Sequence, residues 1–253
     1  MLKDKSHKGI SSFIGIFSAL SIVFSLTVVM LGNIFSVEDD TKPTSADNKE
    51  IKNIVVIDPG HGGEDGGAIA VDGTVEKILN LDFCKTIHDL CGLFGVDSIL
   101  TRDSDTLLYD KYSELDDYTG KKKVFDLKNR LRFTEEYGEN AIFIGIHMNK
   151  FSEGKYSGTQ VYYSPNSAES MPLAEALQGK VKASLQPENE RAIKKAGSSI
   201  FLLNRLQIPA ILAECGFLSN EAETARLNSA EYKKEFSLTT AVVIGEFINS
   251  RNN

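Results

Sequence analysis

Tryptophan is absent from this chain, and cysteine is scarce: three in 253 residues. The cysteine count is odd, and no Cys-x-x-Cys pair occurs, so neither a disulfide framework nor a cysteine-based metal knuckle is encoded. Cys84 and Cys91 fall seven apart on one predicted helix. That separation is about 10 Å along the axis, too far for a bridge. All three cysteines read as small buried apolar residues. Basic excess is missing too: the formal charge is −7, which excludes a nucleic-acid partner held by phosphate contacts. Internal repeats and tandem accessory modules are absent as well.

The N-terminus stands apart. Lys3, Lys5 and Lys8 precede Gly9–Val37, a stretch without any charged residue, and Glu38-Asp39-Asp40 follows. As a helix, Ile10–Phe35 would span about 39 Å, enough to cross a bilayer with tilt. Lysines before the run and acids after it point the N-terminus toward the cytoplasm. Residues 1–37 therefore read as a membrane anchor or signal segment, and everything beyond residue 40 as extracytoplasmic. An uncleaved anchor is favoured over a cleaved signal peptide. The run is longer than a usual signal core, and no Ala-x-Ala site follows it. Residues 38–52 are polar, with Pro43, Ser45 and Asn48, and read as a linker. Residues 53–253 form the globular part. With 42% hydrophobic residues in the whole chain, a single domain of this size has a sufficient core.

Within that part, apolar runs alternate with helical spacing. Strands are expected at Asn53–Asp58, Val96–Thr101, Ala141–His147, Gly158–Ser164 and Pro209–Glu214. Helices are expected at Glu76–Phe94 (capped by Thr74 and ended by Gly95), Val124–Tyr137, Ser167–Leu185 and Ser229–Asn249. Asp103–Lys123 is polar and charge-rich, and reads as a long insertion. The alternation predicts an α/β fold, a mostly parallel central sheet flanked by helices on both faces, behind an N-terminal hydrophobic helix.

Asp58-Pro59-Gly60-His61-Gly62-Gly63 follows the buried strand Ile54–Ile57. Pro59 restricts the backbone and the glycines permit a tight path, so one imidazole is placed at the strand's C-terminal edge, where α/β proteins bind ligands. His147 follows the apolar run Ile142–Ile146, and Glu214 follows Ala210–Ala213. Parallel strands bring these ends to one rim. Glu76 adds a carboxylate at the start of the first long helix. Singly, each has a plain structural role: a helix-start Glu complements the dipole, and a strand-end Glu pairs with an arginine. Together, two imidazoles and a carboxylate suit a catalytic zinc, which takes three protein ligands and leaves a fourth position open. The ligand set is His61, Glu76 and His147, with Glu64 and Asp65 as rival ligands in the glycine loop. Glu214 then stays free as general base and acid, a set of parts for amide or ester hydrolysis. His88 reads as a helix-surface residue.

These motifs resemble a known family. Ile57–Gly63, Glu76-Lys77-Ile78-Leu79-Asn80-Leu81, Thr101-Arg102, Gly145-Ile146-His147-Met148-Asn149 and Glu214-Cys215-Gly216-Phe217-Leu218-Ser219-Asn220 recur in the order of the zinc-dependent N-acetylmuramoyl-L-alanine amidases of the Amidase_3 type. The resemblance covers roughly residues 53–249. It implies a zinc-exopeptidase-like fold, one Zn2+ ion held by His61, Glu76 and His147, and Glu214 as the catalytic glutamate. The implied substrate is peptidoglycan, cut between the lactyl group and L-alanine. One anchor plus one catalytic domain resembles the spore-cortex members, which act in muramic-δ-lactam formation and would work at the cell wall or in the forespore intermembrane space. Substrate-binding roles are implied for Arg130, which alternatively pairs with an acid, and for Asn149. The absence of wall-binding repeats motivates an accessory protein partner. The competing readings are a zinc peptidase acting within stem peptides, and a non-catalytic wall-binding protein on the same fold.

Overall fold

A computed structural model describes residues 53–108 and 121–252. The predicted anchor, the linker and the middle of the Asp103–Lys123 insertion lie outside the described residues. Among the described residues, no helix is long and apolar enough to cross a membrane.

Strand β1 (Ile54–Pro59) leads to helix α1 (Glu76–Leu93), then β2 (Ser98–Leu100), α2 (Lys122–Glu135) and β3 (Ala141–Asn149). Strand β4 (Gln160–Tyr163), helix α3 (Ser170–Ser184), β5 (Lys194–Lys195) and the short helix α4 (Phe201–Arg205) follow. Strand β6 (Ala210–Phe217) and helices α5 (Glu221–Asn228) and α6 (Ala230–Arg251) complete the fold. The six strands lie in the order β2-β1-β3-β6-β4-β5. The four on the β2 side run parallel, while β4 runs antiparallel to β6 and pairs parallel with β5. The sheet is thus mixed and mostly parallel, as expected.

Both faces of the sheet are covered, which explains why the central strands are apolar runs rather than alternating ones. Side chains still alternate in direction. Val55, Ile57, Ile142, Ile144, Ile146, Ile211 and Ala213 join one core with Phe83 and Ile87 of α1 and Phe236 and Ile244 of α6. Val56, Phe143, Ala210 and Leu212 join the opposite core with Phe133 of α2 and Leu202 and Leu203 of α4. The three cysteines are buried and free.

Several local expectations needed correction. Helix α1 is not capped by Thr74: Val75 is its N-cap residue, with no side-chain cap. The first-turn amides are met instead by loop carbonyls, Glu76 N by Ala68 O at 2.9 Å and Lys77 N by Gly66 O at 3.2 Å. His88 is half-buried rather than a surface residue, with Nδ1 2.7 Å from Ser98 Oγ. Helices α4 and α5 and strand β5 carried no sequence assignment. They are short, so periodicity has too few residues to register. Most relevant to the site, β3 and β6 continue past the predicted ends. The ladder pairs His147 directly with Glu214, so both stand inside their strands, as expected, and not at the strand ends.

Candidate metal centre and active-site pocket

The alternation that sends Phe143 and Leu212 into the second core also sets the direction of His147 and Glu214, two or four residues further along the same strands. Helices α2 and α4 cover the lower part of this face. Above them a cavity of about 220 Å³ opens, lined by Gly60, His61, His147 and Glu214 on the sheet side. Its apolar wall comes from Leu127 of α2, Leu212, and Ile200 and Phe201 at the start of α4.

Two imidazoles and a carboxylate meet beside this cavity. Glu76 Oε1 is 3.1 Å from His61 Nε2 and 3.0 Å from His147 Nδ1. One ligand atom from each of the three lies within 4.8 Å of the others, a spacing that fits one metal ion. Glu76 is only 4% exposed, and its second oxygen accepts from Ala68 N at 2.8 Å. Burial alone raises this carboxyl's pKa, yet hydrogen bonds and charge from His147 and His61 hold it well below the carboxylate range. For His147, burial favours the neutral ring, but Glu76, Glu214 and Asp58 outweigh it and raise its pKa. The three groups thus favour an ionised carboxylate facing two nitrogen donors. That donor set suits zinc or a similar divalent cation, the imidazoles binding in neutral form once a metal replaces the proton. Behind His61, Nδ1 lies 2.9 Å from Asp65 Oδ2, close but not aligned as a hydrogen bond, in the place of the outer carboxylate that commonly orients a metal-bound imidazole. This puts Asp65 behind the cluster, not in it. Glu64 instead pairs with Lys122 at 2.6 Å.

Glu214 differs from Glu76. Its Oε2 is buried without a hydrogen-bond partner. Burial pushes its carboxyl up to about 7, with His147 acting in the opposite direction and Glu76 adding to the rise. An unpartnered oxygen of this kind beside a two-imidazole, one-carboxylate cluster is what a cation or an attacking water would satisfy.

The ligand loop is shaped by close approach. A Cβ on Gly60 would stand 2.1 Å from the His147 ring, and one on Gly67 would stand 2.5 Å from Glu76 Oε2. His61 itself has φ 62°, and it is the one non-glycine residue with positive φ among the described residues. The sequence pointed to the glycines for this role; Gly62, Gly63 and Gly67 do adopt positive φ, but the histidine does so as well. That conformation costs on the order of 1–3 kcal/mol and persists only where neighbours hold it.

Arg130 lies beneath this loop, 1% exposed. Its Nη1 donates to Asp58 Oδ1 at 2.5 Å and to Pro59 O at 2.8 Å, its Nε to Asp126 at 2.8 Å, and its Nη2 to His61 O at 2.6 Å. Of the two roles open to it from sequence, pairing with acids is the one the geometry provides. Four of its five N–H groups are committed to these partners. Asn149 does not line the cavity. A register shift after His147 pairs it with Phe217, and its carbonyl accepts from Leu218 N at 2.7 Å. Sequence reasoning missed Asn80, whose Nδ2 donates to Gly60 O at 3.1 Å and to Glu76 Oε1 at 3.3 Å. Its place four residues after Glu76, on the same helix face, was the available signal. The apolar wall at Ile200 and Phe201 had no such signal.

Residues 55–245 match the family model Amidase_3, described as N-acetylmuramoyl-L-alanine amidase, and the chain belongs to that family. It is accordingly an amide hydrolase of the N-acetylmuramoyl-L-alanine amidase class, acting on peptidoglycan. A germination-specific N-acetylmuramoyl-L-alanine amidase of Bacillus subtilis is 32% identical over 199 residues, covering 79% of this chain and 80% of that protein. The CwlD amidase of Clostridioides difficile, solved in complex with the GerS lipoprotein, superposes with a TM-score of 0.70 at 32% identity, covering 78% of this chain and 99% of that one. The amidase AmiC2 of Nostoc punctiforme superposes with a TM-score of 0.63 at 28% identity, over 78% and 98% of the respective chains.

Proposed function

We propose that this chain is a zinc-dependent amidase that hydrolyses the bond between the lactyl group of muramic acid and L-alanine, and that it works on the spore cortex in muramic-δ-lactam formation. The observation that carries the chemistry is the convergence of His61, Glu76 and His147 within 4.8 Å, next to a glutamate whose buried Oε2 has no hydrogen-bond partner. The spore role rests on the germination-specific and CwlD relatives.

His61 Nε2, His147 Nδ1 and Glu76 Oε1 would hold the ion. Bound there, zinc lowers the pKa of a coordinated water and polarises a carbonyl. Glu214 takes the proton from the attacking water through its free carboxylate oxygen. It then delivers that proton to the departing L-alanine nitrogen, so the amide leaves as a neutral amine. Leu127, Ile200, Phe201 and Leu212 give the cavity an apolar wall, and an apolar surround strengthens the electrostatics of the groups beside it. An N-terminal anchor at residues 1–37 would keep the domain at the outer face of the membrane. An accessory protein is proposed by analogy with the lipoprotein complex of the CwlD neighbour.

Digestion of purified sacculi by residues 38–253, followed by mass spectrometry, tests the reading. Intact stem peptides with a new L-alanine amino terminus, and glycan left with free lactyl groups, are expected in the presence of zinc. Fragments cut within the stem peptide, or no products at all, would replace this reading with a peptidase or a non-catalytic wall binder.

A further inference from the structure

The ligand loop between β1 and α1 is held from below by two buried guanidiniums, and neither was placed in the ligand set. Arg130 donates to the carbonyls of Pro59 and His61. Arg102, 4% exposed, donates through Nε to Pro59 O at 2.9 Å and through Nη2 to Gly60 O at 3.0 Å and Lys77 O at 2.9 Å. Three consecutive carbonyls, of Pro59, Gly60 and His61, are therefore gripped by fixed cationic forks. Lys77 follows Glu76 directly, so the Arg102 bond to its carbonyl ties the loop that bears His61 to the helix turn that bears Glu76.

Each grip falls where the backbone needs it. His61 is the non-glycine residue held in the left-handed region, and the carbonyl it presents in that conformation is the one Arg130 takes. Gly60, whose carbonyl Arg102 takes, lacks the side chain that would strike His147. Arg130 is itself fixed by Asp58 and Asp126, at 2.5 Å and 2.8 Å, and Thr101, the neighbour of Arg102, donates to the same Asp58 oxygen at 2.5 Å. Hydrogen bonds from charged donors are strong, and the planar guanidinium fixes direction as well as distance.

We infer that Arg102 and Arg130 are positioning residues of the metal centre, which set the backbone of His61 and its distance to Glu76 and so determine metal affinity. The inference rests on the metal-binding reading above. Groups that orient metal ligands typically change affinity by about 10–100-fold when removed. A lysine at 130 keeps the charge but cannot bond Asp58, Asp126 and two carbonyls at once. A glutamine at 102 removes a cation that is hydrogen-bonded only to carbonyls, so no buried carboxylate loses its hydrogen-bond partner.

The test is zinc titration of the purified domain against a competing chromogenic chelator, well below the unfolding temperature, with circular dichroism of the metal-free proteins. Wild type, Arg102→Gln, Arg130→Lys and the remote control Arg191→Gln are compared; Arg191 Nε donates to Ser157 O, outside the cavity. Zinc binding weakened about tenfold or more in Arg102→Gln and Arg130→Lys, with unchanged metal-free spectra and an unaffected control, is the expected result. Affinities within twofold of wild type, even with a lowered unfolding temperature, would make the clamp merely structural and overturn the inference. If Arg130→Lys does not fold, Arg102→Gln alone decides on the same criterion. A wild-type domain that takes up no zinc would instead remove the metal reading on which the clamp depends.

Discussion

The floor and the rim of one cavity treat carboxylates in opposite ways. At the floor, Asp58 and Asp126 share the guanidinium of Arg130, and Thr101 donates to Asp58 as well. At the rim, Glu214 Oε2 is buried and has no hydrogen-bond partner. Burial raises the pKa of both Asp58 and Glu214. At Asp58 the arginine and the threonine reverse the effect and hold the carboxyl below its usual value. At Glu214 burial prevails. A buried charge that is fully paired has no proton to exchange near neutrality and serves rigidity; one left unpaired is poised to exchange it. The same contrast separates Glu76, which faces two imidazoles and accepts from the amides of Ala68, Met148 and the Asn80 side chain, from Glu214, its neighbour across the cluster.

The largest expected effect breaks the rim. Glu214→Gln should retain zinc and lose about 10²–10⁴-fold in turnover, measured on peptidoglycan with metal content checked by elemental analysis. Turnover within a few fold of wild type would show that the free carboxylate moves no proton. The floor comes next. Asp58→Asn strips Arg130 of a buried partner and should cost roughly 3–5 kcal/mol in denaturant unfolding at pH 7. Because the folded-state pKa of Asp58 is depressed below 3.8, its stabilisation is fully present above that value. It is lost as pH falls through the folded pKa, so wild type and variant should converge at acid pH. A gap that stays constant across this range would remove Asp58 ionisation as its source.

A smaller effect lies between the two regions. Gly60→Ala places a methyl against the His147 ring and should cost about 1–3 kcal/mol from overpacking, together with weaker zinc binding by titration. Unaltered stability and affinity would mean that loop and ring shift without consequence. The smallest effect is at the exposed margin. The Lys122–Glu64 pair is solvent-exposed on both sides, and Lys122→Gln should change stability by no more than about 1 kcal/mol. A larger loss in thermal unfolding would show that the start of α2 holds the ligand loop more firmly than a surface pair does.

Much of this arrangement was legible in advance, for identifiable reasons. Long apolar runs such as Ile142–Ile146 marked strands buried on both faces, and their alternation with helices implied the parallel core of the sheet. The loop Asp58–Gly63 and the residues His147 and Glu214 were recognisable because polar groups at the ends of apolar strands are costly without a purpose. The pairing of His147 with Glu214 was not legible, since their predicted strands ended on these two residues without fixing the register between them. Arg130 carried two readings, and its bonds to Asp58 and Asp126 are those of the acid-pairing one. Asn149 was placed with the substrate on its motif alone; a register shift after His147 pairs it with Phe217, and it does not line the cavity. Short elements such as Phe201–Arg205 have no periodicity to read, so the apolar wall went unnoticed.

The amino-acid order alone determined the α/β class, the buried strands and the residue types able to bind a metal, because burial patterns and local chain stiffness are properties of neighbouring residues. Tertiary structure decided which of those residues meet, which acids are neutralised and which one is left free. Those outcomes depend on distances between side chains far apart in the chain, as in the reach of Arg130 to Asp58 across 72 positions, and no local pattern encodes them.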